Sequence, residues 1–254
     1  MHPSPPLTAL PELPAQLPSK GWAVLDADAL CSLAGVAAAE LQAWQPLWDE
    51  LPRDLHLRDG GHYRHRRHGC MVVQGSQVRP VPHRAHWQPV AYNALHGGFE
   101  RWFEPLSAAL VSAPAWERLL CGLAAVASGL RGAQPWYVEA HPFRIDTAGD
   151  GAIGRPTPEG AHRDGVDLVA VILVCRHNVK GGETRVFDAL GPQGVRFVLD
   201  QPWSVLLLDD ERVIHETTPI QRFDAARPAW RDTLVITLRR GGFQGPAASE
   251  GTSP

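Results

Sequence analysis

The second half of the chain constrains the fold most. Between Pro135 and Arg240, six short apolar segments (136–145, 166–176, 182–188, 195–199, 204–210 and 232–240) alternate with loops rich in Gly and Pro. No crossover helix separates them. Short strands at this spacing pair as antiparallel sheets, so a sandwich or a small barrel is expected.

The first half reads differently. Residues 1–20 are Pro-rich and read as an extended arm. From Asp26, apolar residues recur at helical spacing (Leu30, Leu33, Val36, Ala37, Leu41), with Asp26 or Asp28 as N-cap. Further helices are expected at 98–112 and 114–131, and one strand near HGCMVV. The predicted layout is helices over one side of a β-barrel: an arm (1–20), one domain (21–243; helical part about 26–131, β core about 135–240) and a flexible tail (244–254).

Composition excludes several function classes. A formal charge of -3 gives no global reason to expect nucleic acid as partner. No apolar run approaches the roughly 20 residues of a membrane span, and the N-terminus has no secretory pattern, so the expected compartment is the cytoplasm. Cys31, Cys70, Cys121 and Cys175 never form CxxC, which argues against zinc-ribbon and thioredoxin-like sites. The GG pairs match neither a Walker loop nor GxGxxG. Only Lys20 and Lys180 are lysines among 24 basic residues, so a bound carboxylate is expected to meet arginine.

One constellation carries chemistry. In an extended segment residues i and i+2 point to one side, so His162 and Asp164 of HRD present a nitrogen and a carboxylate together. His215, after the apolar run SVLLLDDERVI, supplies a second imidazole. Two histidines and one carboxylate on one face are the donor set of non-haem Fe(II) oxygenases, with open positions for 2-oxoglutarate and O2. Arg231 opens the segment RDTLVITL and is the expected partner of the far carboxylate of 2-oxoglutarate. Arg222 and Arg227, seven and twelve residues after His215, fall in a loop and are the alternatives. Thr217 and Thr233 are candidate hydroxyl partners of the same co-substrate, although Thr is also a good strand former.

The stretches PTPEGAHRDGVDLVAVILVCRHNVKGGETRVFD, VLLLDDERVIHETTPI and WRDTLVITLRR resemble the bacterial 2-oxoglutarate/Fe(II) dioxygenases of the isoleucine 4-hydroxylase type, over about 135–240. The resemblance implies a double-stranded β-helix (jelly-roll, cupin-like) core beneath N-terminal helices. It further implies Fe(II) on His162, Asp164 and His215, 2-oxoglutarate on Arg231, and hydroxylation of a free amino acid or derivative with release of succinate and CO2. The same chemistry on a peptide or natural-product intermediate is the alternative, as is a jelly-roll metal-binding module without activity. For the substrate, candidates are Tyr63, Arg64 and Arg66 from the basic run HYRHRRH, and Glu139 and His141, which share a face of segment 136–145. Oligomeric state is not legible.

Overall fold

The structure, a computed structural model, describes residues 4–147 and 153–246. Five helices, α1 (Leu13–Lys20), α2 (Ala27–Ala34), α3 (Ala38–Gln42), α4 (Ala108–Val111) and α5 (Pro114–Arg131), lie in the N-terminal half. The same half contributes strands β1 (Trp22–Leu25), β2 (Arg64–Arg66), β3 (Gly69–Gln74) and β4 (Gln77–Pro80). Among the described residues, the regular structure after α5 is strand: β5 (Trp136–Asp146), β6 (Leu168–His177), β7 (Val179–Gly181), β8 (Thr184–Asp188) and β9 (Gly194–Phe197) come first. Then follow β10 (Val205–Asp209), β11 (Val213–Thr217), β12 (Ile220–Arg222) and β13 (Trp230–Arg239).

The strands form a mainly antiparallel jelly-roll. The large sheet runs β1-β10-β6-β13-β5-β3-β4, with β2 also on β5, and the smaller sheets are β11-β8-β9 and β12-β7. Alternation along each strand divides its side chains between two cores. One face of the large sheet (Ala170, Ile172, Val205, Leu207, Leu234, Ile236) packs on α5 and α2 through Leu30, Trp116, Leu120 and Leu123. The other face (Val169, Leu173, Leu206, Leu208) meets Val186 and Phe197 of the small sheet. Toward one end this inner layer turns polar, and the cavity described below begins there.

All six segments expected as strands are strands, and α5 matches the helix expected at 114–131. Other expectations need correction. The Pro-rich arm is not extended over its length: Leu10–Glu12 is a turn of 3-10 helix and α1 follows. Leu13 and Leu17, one helical turn apart, drop into the core, and that burial outweighs the prolines. The helix expected from Asp26 is two helices, because Gly35 (φ 63) closes α2 in a left-handed cap. At 98–112 only α4 is helical; the rest is irregular. Gln244, placed in the tail by sequence, is docked on the Asp164 and Gly165 carbonyls, and residues 247–254 lie outside the described set. No described helix is long and apolar enough to cross a membrane.

Candidate active site

His162 and His215 are brought together by backbone pairing. The HRD segment forms an antiparallel bridge to β11, with His162 N–H donating to His215 O at 3.0 Å and the reverse bond at 2.9 Å. Directly opposed residues share a face, so the two rings lie 4.6 Å apart. Asp164 follows two residues later on the same side. Its carboxylate lies 3.7 Å from His162 Nε2 and 4.0 Å from His215 Nε2. Between them Arg163 points away and donates to the Asp210 and Glu211 carbonyls.

Asp210 fixes the loop that carries Asp164. Its buried carboxylate accepts from the backbone N–H of Asp164 (3.1 Å), Gly165 (2.7 Å) and Val166 (3.0 Å). Gly165 sits at φ 75, where a side chain would be strained and would also run into Tyr92. Gln88 touches Asp164 directly, its Nε2 donating to Oδ1 at 3.1 Å. The Gln88 carbonyl accepts from Asn93 and Arg101, which settles which end of the amide faces Asp164.

These residues suit a divalent metal. His162 Nδ1 is tied to Gly160 O at 3.0 Å, which leaves Nε2 as a lone-pair donor. Burial, then the neighbouring His162, push the His215 pKa well below its ordinary value, so the ring stays neutral. The three ligand atoms converge with room for further ligands on the cavity side.

That cavity runs from the triad along the inner faces of β13 and β5. Alternate β13 residues Arg231, Thr233, Val235 and Thr237 line one wall, and Tyr137, Glu139, His141 and Phe143 of β5 line the adjoining one. Thr217, Arg64 and Arg66 face it too. Tyr63 does not: it packs with Ile145 and Ile220 and donates to Asp59 at 2.6 Å. Arg231 is 3% exposed, and its Nε and Nη2 have no partner among the described residues. Burial, then the nearby Arg176, lower its pKa to about 9. Arg222 is occupied by Thr147 and Ala225, and exposed Arg227 lies near Asp224, so neither lines the cavity.

Buried polar atoms without partners concentrate here. Of thirteen such atoms among the described residues, seven belong to six cavity residues: Arg64, Arg66, Arg101, Glu159, His215 and Arg231, the last contributing two. Five of the seven are guanidinium nitrogens; burying such donors unpaired costs free energy, and five around one cavity fit a site built for an anionic ligand.

Sequence reading missed Gln88, Asn93, Arg101, Glu159 and Asp210, as well as the pair His68 and His86. Most belong to the irregular stretch before α4, where no periodicity assigns a side chain to a face. Asp210 carried a readable signal, a carboxylate ending a buried strand.

A family model described as 2OG-Fe dioxygenase matches residues 45–237. Among solved structures, a bsmA homolog from Methylobium petroleophilum PM1 shares 56% identity over 95% of this chain and 97% of its own, with a TM-score of 0.89. IDO from Bacillus thuringiensis aligns at 15% identity over 94% and 97%, with a TM-score of 0.74. An Fe(II)/(alpha)ketoglutarate-dependent dioxygenase, TqaL, aligns at 20% identity over 91% and 87%, with a TM-score of 0.68. These last two likenesses are likenesses of fold. No curated protein matches the chain.

Proposed function

From the premise that this chain belongs to the 2OG-Fe dioxygenase family, and so is a 2-oxoglutarate-dependent oxygenase using Fe(II) and O2, we propose that it hydroxylates a free amino acid or close derivative. In this reading His162, Asp164 and His215 hold the iron and Arg231 holds the far carboxylate of 2-oxoglutarate, with Thr217 and Thr233 beside it. Bound there, iron with 2-oxoglutarate would supply the O2 chemistry that oxidises a substrate C–H bond and releases succinate and CO2.

The protein's own residues bind, orient and exclude water. Arg231, starved of partners, gains a charge-assisted fork when a carboxylate arrives. Gln88 holds the Asp164 carboxylate, and Asp210 holds its backbone N–H, so the side chain leaves the loop at a fixed angle. Arg101 reaches the Gln88 carbonyl at 2.9 Å, so its guanidinium lies one side chain away from Asp164. Arg66 lies over Phe103 and Phe143 and has no ion-pair partner among the described residues. A substrate carboxylate on Arg101 and Arg66 would set the neighbouring carbons toward the triad.

The observation that carries the reading is the shared cavity: triad, unpartnered Arg231, and two further buried arginines without a carboxylate of their own. The resemblance to amino acid hydroxylases supports the substrate class. Mass spectrometry of reactions with 2-oxoglutarate, Fe(II), O2 and a panel of free amino acids tests it. One amino acid should gain a single oxygen atom in step with succinate. Turnover confined to peptides would sink the amino acid reading and leave the oxygenase standing.

A further inference from the structure

Three histidines and a glutamate converge beside the iron triad without being part of it. Glu139 Oε2 accepts from His86 Nδ1 at 2.7 Å and from His68 Nε2 at 2.9 Å, and His141 Nε2 stands 3.9 Å away. All four residues are buried, with His68 and His141 rings stacked 4.7 Å apart. Such a set has the donor atoms of a metal site. It also has the makings of a cage that keeps one carboxylate ionised away from water.

The proton positions decide between them. His141 Nδ1 meets Arg66 Nη2 at 2.6 Å, and a guanidinium only donates. His141 Nδ1 therefore carries the lone pair, and the proton of the neutral ring sits on Nε2, toward Glu139. A metal there would need the opposite tautomer, with two donors facing each other at Arg66. A dication would in addition lie beside the charges of Arg66 and Arg101 without bringing the carboxylate that offsets them, as a zwitterion does.

The imidazole N–H groups instead hold a carboxylate. Burial by itself would raise the Glu139 pKa, but His86 and His68 outweigh it and keep the group well below the usual carboxylate range. Only Oε2 is occupied. Oε1 makes no hydrogen bond among the described residues, is not among the sealed-off atoms, and belongs to a side chain lining the cavity. The distance to the iron ligands is short, because His86 and Gln88 are two residues apart and contact Glu139 and Asp164 respectively. An extended two-residue step spans roughly 6.6 Å.

We propose that Glu139, caged by His68, His86 and His141, receives the cationic group of the substrate through Oε1, beside the carboxylate-binding Arg66 and Arg101. This rests on the amino acid reading above and adds the specificity determinant: a zwitterion whose ammonium and carboxylate, borne on one carbon, meet Glu139 and the neighbouring arginines, leaving the side-chain carbons free to face the triad. A neutral amide in place of the ammonium has no charge to offer Oε1 and is rejected.

The test compares free amino acids with their N-acetyl, deaminated and decarboxylated counterparts, reading succinate formation by wild type and Glu139→Gln, with metal content measured in both. The expected result is that wild type responds to a free amino acid and not to its N-acetyl or deaminated forms. In Glu139→Gln, kcat/KM for that amino acid should fall about 100-fold or more while the free-to-acetylated preference collapses. Metal content should stay at one iron per chain in both proteins. Wild type that accepts acetylated and free forms equally overturns the proposal, as does a second metal equivalent lost in Glu139→Gln. If only compounds other than amino acids stimulate turnover, the amino acid reading fails by itself. The Glu139 assignment then stands if those compounds carry a cationic group and falls if they do not. Should Glu139→Gln fail to fold, the wild-type preference decides, with Glu139→Asp as the second variant.

Discussion

Replacing Arg231 with methionine should move stability and co-substrate binding in opposite directions. Arg231 is buried with two unpartnered N–H-bearing atoms, and its pKa is lowered to about 9. The unfolded chain holds that proton more tightly, so the ligand-free fold bears a cost at every pH below about 9. At about 1.4 kcal/mol per unit, the drop from 12.5 corresponds to a penalty on the order of 3–5 kcal/mol. Methionine fills similar volume without the charge. Recovering about 2–3 kcal/mol would raise the melting temperature of metal-loaded, 2-oxoglutarate-free protein by roughly 5–10 °C, equally at pH 6 and pH 8. Wild type should regain comparable stability only with ligand, about 2.7 kcal/mol at 100 times Kd. In Arg231→Met, 2-oxoglutarate should bind on the order of 30- to 1,000-fold more weakly, since a buried charge pair is lost. Pyruvate, which lacks the far carboxylate, should bind both proteins alike. Anaerobic thermal shift against the two oxo acids reads all of this. Arg231→Met that still prefers 2-oxoglutarate as wild type does would rule Arg231 out as the partner of the far carboxylate.

Other outcomes follow from the same geometry. Asp210→Asn turns a side-chain N–H2 toward backbone donors that need an acceptor, so metal affinity should drop about 10- to 100-fold in a metal titration, whereas an unchanged Kd would remove Asp210 from its positioning role. Trp48 Nε1 reaches both Phe143 O (3.0 Å) and Thr233 O (3.2 Å) where the β13–β6 register shifts. Trp48→Phe strands those carbonyls and should cost about 1–3 kcal/mol in urea unfolding. His86 and His96 are held near pKa 4, burial being the main cause in each. Their unfolded counterparts take up protons first, so stability should fall as pH drops from about 6.5 toward 4, by up to about 1.4 kcal/mol per pH unit per group. His96→Asn should flatten that slope in chemical denaturation at pH 6.5, 5.5 and 4.5, and an identical slope would exclude His96 as a contributor.

Much of the site was legible because it lies on regular strands. Period-two alternation puts His162 with Asp164, His215 with Thr217, Arg231 with Thr233, Glu139 with His141 and Arg64 with Arg66, and each pair does face the cavity. Tyr63 fails by the same rule: one residue out of step with Arg64, it points the other way. What alternation cannot show is the irregular stretch 81–105. His86 and Arg101 are placed by bonding each other's backbone, at 2.9 and 3.0 Å, across the coil between them. From that pairing His86 reaches Glu139 and Gln88 reaches Asp164. The Pro-rich start misled for a related reason: proline content argues against helix locally, while two leucines one turn apart argue for it through a core that only the folded chain provides.

In the proposed site His162, Asp164 and His215 hold one Fe(II) together with 2-oxoglutarate. Anaerobic titration of Fe(II) into protein with 2-oxoglutarate, followed by the visible charge-transfer absorption of an iron-bound 2-oxo acid, tests it most directly. Wild type should saturate at one iron per chain, and His215→Ala and Asp164→Ala should give no such band while folding normally. A band of undiminished intensity in either variant would place the iron elsewhere in the protein.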